Sequence, residues 1–341
     1  MSKASRLGRA LGLAVAAALS AALIACTPRI QPPGPGPATP EMTDRQLRVR
    51  DGLVLPLSRW LPEGPVTAAV VALHGFNDYR NAFTDVGPEF ARHGIATYAY
   101  DQRGFGQSPY RGIWPGQIPL IEDLIDASRL VRARHPDVPL YVLGESMGGA
   151  VAMASLARPT RPDIDGVILA SPAVWGRRTM PDIQVALLEL VAHLMPALAG
   201  KNQGLMLTPS DNIEMLRALG RDPLIIKETR IDAVYGLVAL MDAALAATPQ
   251  LDVPALILYG SRDDIIERKR TCTMLTELRR GAGRQWRLAL YPKGYHMLLR
   301  DLQADTVIAD ILAWIDDRSA PLPSQNEAQR DRISAFCDKQ S

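Results

Sequence analysis

The sequence predicts an α/β fold: a mostly parallel central sheet with helices on both faces and a helical cap insertion. Three observations predict it. Short apolar runs alternate with longer segments of helical period between about residues 43 and 318, as in parallel strands joined by crossover helices. The runs are apolar throughout rather than at every second residue, as strands covered on both faces must be. Each run ends where chemistry-bearing residues begin, and open α/β sheets collect their ligands beyond the carboxyl ends of their strands.

Composition agrees. With 47% hydrophobic and 22% charged residues, a chain of 341 can bury one large core or two modest ones, which excludes a disordered or fibrous protein. The net charge of +2, with no basic stripe carrying interleaved aromatics, excludes nucleic acid as a partner. There is no internal repeat.

In chain order, the first element lies outside the fold. Lys3, Arg6 and Arg9 precede the apolar run Leu11 to Ile24, which is short for a bilayer span and reads as an export signal over residues 1–25. Its end, Leu23-Ile24-Ala25-Cys26, resembles the bacterial lipobox. That resemblance implies cleavage before a diacylglycerylated Cys26, which becomes the lipidated N-terminus and anchors the protein to a membrane of the cell envelope. Two or three acyl chains bury enough methylenes for stable anchoring, where one is marginal. An ordinary cleaved signal and an uncleaved anchor helix are the alternatives. Thr27, in place of an aspartate, favours the outer membrane in a Gram-negative host. Removing residues 1–25 takes away three positive and no negative side chains, so the net charge of +2 becomes −1. Residues 26–42, rich in Pro and Gly, read as an extended tether, and residues 319–341 as a polar tail.

Six strands follow within the domain: Thr67 to Leu73, Ile95 to Tyr100, Leu140 to Gly144, Gly166 to Ala170, Ala255 to Gly260 and Trp286 to Tyr291. The third of these runs into Gly144-Glu145-Ser146-Met147-Gly148-Gly149. A sharp strand-to-helix turn needs glycines where backbone angles are strained and helix approaches strand, and it lifts the central side chain to the sheet edge. Ser146 is thereby presented as a nucleophile. The Met147 N–H, in the first helical turn, is free to donate to a developing oxyanion. A second donor is the N–H of Phe76 in "LHGFND", Leu73 to Asp78, a loop placed after the third strand of the sheet.

A serine hydroxyl needs a base. Of five histidines, His93 and His135 fall at helix ends, His193 reads as a core or pocket-wall residue, and His74 is structural. His296, in "YPKGYHMLL" after the last strand, is the base. The acid that fixes its tautomer comes from Asp263-Asp264 after "ALILYG". Asp263 is chosen for that role, leaving Asp264 to cap the following helix.

The order Ser146, Asp263, His296 is that of the α/β-hydrolases. The chain from about His74 to Trp314 resembles their monoacylglycerol lipase and lysophospholipase branch (serine aminopeptidase-like). The motifs that carry the likeness are "HGFNDY", "YDQRGFGQS", "GESMGGAVA", "LASPAV", "DPL", "YGSRDDII" and "GYHMLL". The resemblance implies Ser146 as nucleophile, Asp263 as acid, His296 as base and the Phe76 and Met147 amides as the oxyanion hole. One departure is visible: the loop after His74-Gly75 reads Asn77-Asp78-Tyr79, where the family often has an acidic residue and a histidine, which bears on substrate positioning.

The segment 173–248 reads as the cap. "IQVALLELVAHLMPALAG" and "IDAVYGLVALMDAALAATP" are apolar around much of their circumference and are expected to roof the site and line an acyl-chain tunnel, alongside ordinary core packing. The expected substrate is an acyl-glycerol or lysophospholipid, cleaved through an acyl-enzyme. A peptidase of the serine aminopeptidase type, a short-chain carboxylesterase and a non-enzymatic envelope binding module are the alternatives. A peptidase would want clustered cap carboxylates, and Glu189, Glu214 and Asp242 are dispersed in sequence. With Cys26 assigned to lipidation, Cys272 and Cys337 could pair and pin the tail, or Cys272 could be a small buried thiol. No cofactor and no metal are expected, and the oligomeric state is left open.

Overall fold

The computed structural model describes residues 27–201, 207–281 and 285–338. The expected signal segment and Cys26 lie outside the described residues.

Three strands precede those expected from sequence: β1 (Glu41–Met42), β2 (Gln46–Arg48) and β3 (Val54–Trp60). They carry no continuous apolar run because they form an antiparallel ribbon at the sheet edge with one face toward solvent. β4 (Ala68–Leu73), the strand before the Phe76 loop, is therefore fourth in chain order rather than third. β5 (Ile95–Tyr100), β6 (Leu140–Glu145), β7 (Gly166–Ala170), β10 (Ala255–Gly260) and β11 (Trp286–Tyr291) fall where the apolar runs placed them. β8 (Ala199–Lys201) and β9 (Glu228–Arg230) make a small antiparallel pair in the cap that the sequence did not announce.

The main sheet has nine strands in the order β1-β2-β3-β5-β4-β6-β7-β10-β11. From β5 through β4, β6, β7 and β10 to β11 every pairing is parallel. The middle strands β4, β5, β6, β7 and β10 are buried at every residue, which accounts for their unbroken hydrophobicity. The α-helices among the described residues are α1 (Val86–Arg92), α2 (Gln117–Arg134), α3 (Met147–Leu156), α4 (Asp182–Leu194), α5 (Ile213–Arg221), α6 (Ile231–Ala247), α7 (Arg268–Arg280), α8 (Ala304–Asp316) and α9 (Arg330–Asp338). Two apolar layers result, one on each face. The first is built around α2, α3, α6 and α7, the second around α1 and α8.

The two apolar cap segments have different fates. α6 is long and apolar enough by composition to cross a membrane, yet it is half buried and joins the core layer that contains α3. α4 buries only Ala192 fully, and Ile183, Leu187, Leu190 and Leu194 on it are more than half exposed. His193, expected inside, is exposed on the same helix, with its ring edge-on to Tyr235. His93 and His135 are the C-caps of α1 and α2, as expected at helix ends.

Both ends of the described chain differ from a free tether and a free tail. Residues 28–38 are extended, but they lie bound along the domain. Gln31 is buried and donates from its side chain to the carbonyls of Pro109, Tyr110 and Ile113, and its backbone N–H donates to Trp114 O. The Arg29 N–H donates to Asp232 on α6, and the Gly34 N–H to Asp51. At the other end, residues 326–328 lie along the open edge of β11, with the Leu290 N–H donating to Asn326 O and the Ala328 N–H to Leu288 O. α9 then packs Ile333 and Phe336 into the core, and Cys337 is disulfide-bonded to Cys272 on α7. Covering an edge strand in this way removes a template for pairing with other chains.

The disulfide closes a loop of 65 residues across the chain. Its removal frees the unfolded chain, so Cys337→Ser is expected to lower stability by about 2–4 kcal/mol, read as a lower urea midpoint against oxidised wild type. An unchanged midpoint would mean that the edge pairing alone holds the tail.

Candidate active site

The site is assembled at the carboxyl ends of β4, β6, β10 and β11. At β6 the chain turns into α3 through Ser146, whose backbone has φ 52° and ψ −114°. A non-glycine residue adopts this only where its surroundings impose it. Here the Ser146 N–H donates to Ala170 O, and its carbonyl accepts from Ala150 and Ala173. The glycines are required by contact. A Cβ on Gly144 would fall 2.5 Å from the Gly149 nitrogen, and one on Gly148 only 2.2 Å from the Leu73 carbonyl oxygen.

Ser146, Asp263 and His296 are brought together, each less than a tenth exposed. His296 Nδ1 lies 2.8 Å from Asp263 Oδ2, and His296 Nε2 lies 2.9 Å from Ser146 Oγ. A carboxylate only accepts, so Nδ1 carries the proton and donates to Asp263. Nε2 is then left to accept from the serine hydroxyl. The other carboxylate oxygen of Asp263 accepts from the N–H groups of Ile265 and Ile266, which fixes its rotamer. Asp263 thus orients the histidine and also closes its own turn. Asp264, expected to cap the following helix, instead accepts from the Thr208 N–H in the middle of the cap segment.

Burial disfavours the charged imidazole of His296, but the Asp263 carboxylate, by charge and hydrogen bond, outweighs it and holds the pKa above its ordinary value. His74 behaves oppositely. It is fully buried, burial lowers its pKa, and it accepts at Nε2 from the Gln102 N–H while its Nδ1 faces Gly75 O, a structural role as expected.

The Phe76 loop runs directly against the serine, since a Cβ on Gly75 would sit 3.4 Å from Ser146 Cβ. Among the described hydrogen bonds neither the Phe76 nor the Met147 N–H donates to a protein acceptor. The Asn77-Asp78-Tyr79 variation has a structural explanation. Asn77 takes φ 65° and donates to Thr229 Oγ1, its carbonyl accepts from the Ile226 N–H, and Tyr79 donates to Asp222 of the "DPL" motif. The loop is thereby laced to the cap. Beside Phe76, between Phe105, Trp114, Ile226 and Ala233, lies a cavity of only about 10 Å³.

Sequence reasoning missed one buried cluster. Arg300 Nη2 lies 2.7 Å from Asp78 and 3.0 Å from Glu145, all three buried. The only sequence signal was position: each stands within four residues of a residue already assigned to the site. It also left the cap carboxylates dispersed. Two of them, Glu189 and Asp242, meet on Arg177, while Glu214 in the first turn of α5 takes no part. Among the described residues no cluster of His, Cys, Asp and Glu could hold a metal.

Fold and site together define the class, an α/β-hydrolase with a serine presented to a histidine and an aspartate. The model of the Hydrolase_4 family, described as "Serine aminopeptidase, S33", matches residues 64–303, and the chain belongs to that family. It is similar to the monoglyceride lipase of Rattus norvegicus, 26% identical over 278 residues, which cover 79% of this chain and 89% of that protein. It is equally similar to the monoacylglycerol lipase of Mycolicibacterium smegmatis, 26% identical over 271 residues, 75% of this chain and 90% of that one. Among solved structures, a soluble variant of monoglyceride lipase from Saccharomyces cerevisiae in complex with a substrate analog superposes with a TM-score of 0.68 at 21% identity, over 84% of this chain and all of that one. A carboxyl esterase from Bacillus coagulans gives the same TM-score at 18% identity, over 80% of this chain and 97% of that one. These structures share the fold. The enzyme class is that of the serine ester hydrolases.

The electrostatics make a direct prediction. In an NMR titration the His296 imidazole should titrate above the ordinary histidine range, and Asp263→Asn should lower its midpoint by about one unit or more, because the imidazolium loses its partner while burial still opposes it. An unmoved midpoint would separate Asp263 from the histidine.

Proposed function

We propose that the protein hydrolyses acyl esters of the monoacylglycerol or lysophospholipid type, with Ser146, His296 and Asp263 as the catalytic triad. The observation that carries this reading is His296 bridging Ser146 Oγ at 2.9 Å and Asp263 at 2.8 Å. Ser146 Oγ attacks the acyl carbonyl as its proton passes to His296 Nε2, and the oxyanion is received by the Phe76 and Met147 amides. The imidazolium then protonates the departing alcohol, leaving an acyl-enzyme. Water, deprotonated by His296, repeats the attack and releases the fatty acid and the free serine.

An amphiphilic acyl substrate is supported by the apolar wall of Phe76, Phe105 and Trp114, by the exposed apolar side of α4 and by the monoglyceride lipases among the relatives. The peptidase reading needs free carboxylates to hold a substrate ammonium. Glu189 and Asp242 are already engaged by Arg177, which argues against it. We further propose, from the lipobox-like Leu23 to Cys26, that the protein is a lipid-anchored protein of the cell envelope. With residues 29–34 bound to the domain, such an anchor would hold the enzyme close to the bilayer rather than at the end of a long leash.

The test is a matched panel of acyl-glycerols, lysophospholipids, p-nitrophenyl esters and aminoacyl amides. Turnover of glycerolipid esters is expected, falling by about 10⁴-fold or more in Ser146→Ala. For kcat/KM the acid limb should lie above the ordinary histidine range, since only neutral His296 can accept the serine proton and its pKa is raised. Preferential turnover of aminoacyl amides would move the assignment to a peptidase. Absence of Ser146-dependent turnover would remove the hydrolase reading.

A further inference from the structure

Arg300 touches neither Ser146 nor His296 in any described contact, yet it stands where three of the four strand ends that build the site meet. One of its partners, Asp78, is two residues beyond Phe76 on the oxyanion loop. The other, Glu145, immediately precedes Ser146. Arg300 itself is four residues beyond His296, on a turn closed by hydrogen bonds from the Arg300 and Asp301 N–H groups to Met297 O. A single nitrogen, Nη2, serves both carboxylates, at 2.7 and 3.0 Å. The Arg300 side chain is 6% exposed, and those of Asp78 and Glu145 are 7% and 2%.

Burying three charges is a costly way to fill space. Well-packed apolar side chains of similar volume would serve packing as well or better, whereas ion pairs of fixed geometry restrict how the segments that carry them can sit. Two carboxylates share one guanidinium, and burial raises the Glu145 pKa against the pull of Arg300.

We propose that Arg300 is a positioning residue of the hydrolytic reaction: by clamping Asp78 and Glu145 it sets the spacing of the Phe76 amide, Ser146 and His296. The inference rests on the hydrolase reading of the same site. The clamp has an electrostatic side as well. The charged groups facing His296 are Asp263 from the loop after β10, Glu145 at the end of β6 and Arg300 on its own loop. Asp78 from the loop after β4 faces Arg300, and Asp301 stands next to Arg300 and feels Glu145. Glu145 favours the imidazolium and Arg300 opposes it, so removing the one or the other must move the histidine in opposite directions.

The experiment compares Arg300→Lys, Arg300→Met and Glu145→Gln in the full-length, detergent-solubilised chain, with a p-nitrophenyl acyl ester as probe, Ser146→Ala as control and thermal unfolding measured alongside. Arg300→Met is expected to lower kcat by about 10²-fold while KM changes by less than about threefold, the pattern of lost alignment rather than lost binding. Arg300→Lys, which keeps the charge but not the shape of the guanidinium, should recover part of that loss. The acid limb of kcat/KM should shift to higher pH in Arg300→Met and to lower pH in the isosteric Glu145→Gln, by about half a unit or more in each. A purely structural ion pair would lower the unfolding temperature without shifting the limbs in opposite directions, and that result overturns the proposal. So do unmoved kcat and limbs in folded variants. If Arg300→Met does not fold, Glu145→Gln decides by its limb alone. Wild type without Ser146-dependent turnover removes the hydrolase reading and this inference with it. Normal Ser146-dependent turnover with indifferent variants removes only this inference.

Discussion

At Ser146 the backbone is held at φ 52°, a conformation that costs an L-residue on the order of 1–3 kcal/mol and persists only where the surroundings over-determine it. Much of the architecture can be understood as that over-determination. β6 enters the turn from the middle of the parallel sheet, buried at every residue. α3 leaves it so close to β4 that only glycine fits at 148, and β7 and the loop after it grip the serine from the side through Ala170 and Ala173. Because the sheet is rigid and fully covered, the strain is not relaxed. It is used to hold a hydroxyl at the rim of the sheet, within reach of groups arriving from β4, β10 and β11.

The polar chemistry is buried deeply, and it is kept in order by charges that come in sets. Arg103 joins Asp51 to Asp123 and so fastens the N-terminal β-ribbon to α2, while Arg50 meets Asp126 one turn further along the same helix. At the site, Asp263 serves His296, and Arg300 serves Asp78 and Glu145. A carboxylate left alone at such depth would be pushed toward neutrality. Asp123 shows the tendency, with burial raising its pKa to about 7 against the pull of Arg103. The guanidiniums are what allow acidic side chains to remain useful inside the molecule.

Around this fixed centre the surface elements divide between closing and opening. The N-terminal segment and the C-terminal tail close the structure, one laid against the loop at 109–114 and α6, the other against the free edge of β11. The cap does less closing. α6 belongs to the core, but α4 turns a row of leucine and isoleucine side chains outward, where water gains nothing from them.

The sequence by itself determined the parallel sheet, the turn at Ser146 and the pairing of Asp263 with His296. In a doubly covered sheet every inner strand must be apolar from end to end, and the functional residues follow each strand within a few positions, so both are written locally. Tertiary structure alone decided the rest. The ribbon β1–β3 is half-solvated and has no continuous apolar run. His193 sits in an apolar helix whose outer side happens to face solvent. Asp263 rather than Asp264 closes its own turn, because it is the Asp263 carboxylate that meets two free amides. The tail and the Cys272–Cys337 bond depend on an edge strand hundreds of residues from the ribbon that begins the sheet. Arg300, Asp78 and Glu145 each read as ordinary charged positions in sequence. Only the fold, by bringing three strand ends within one guanidinium's reach, makes them a unit, because an ion pair's energy depends on distance and burial, and neither is a property of one segment of chain.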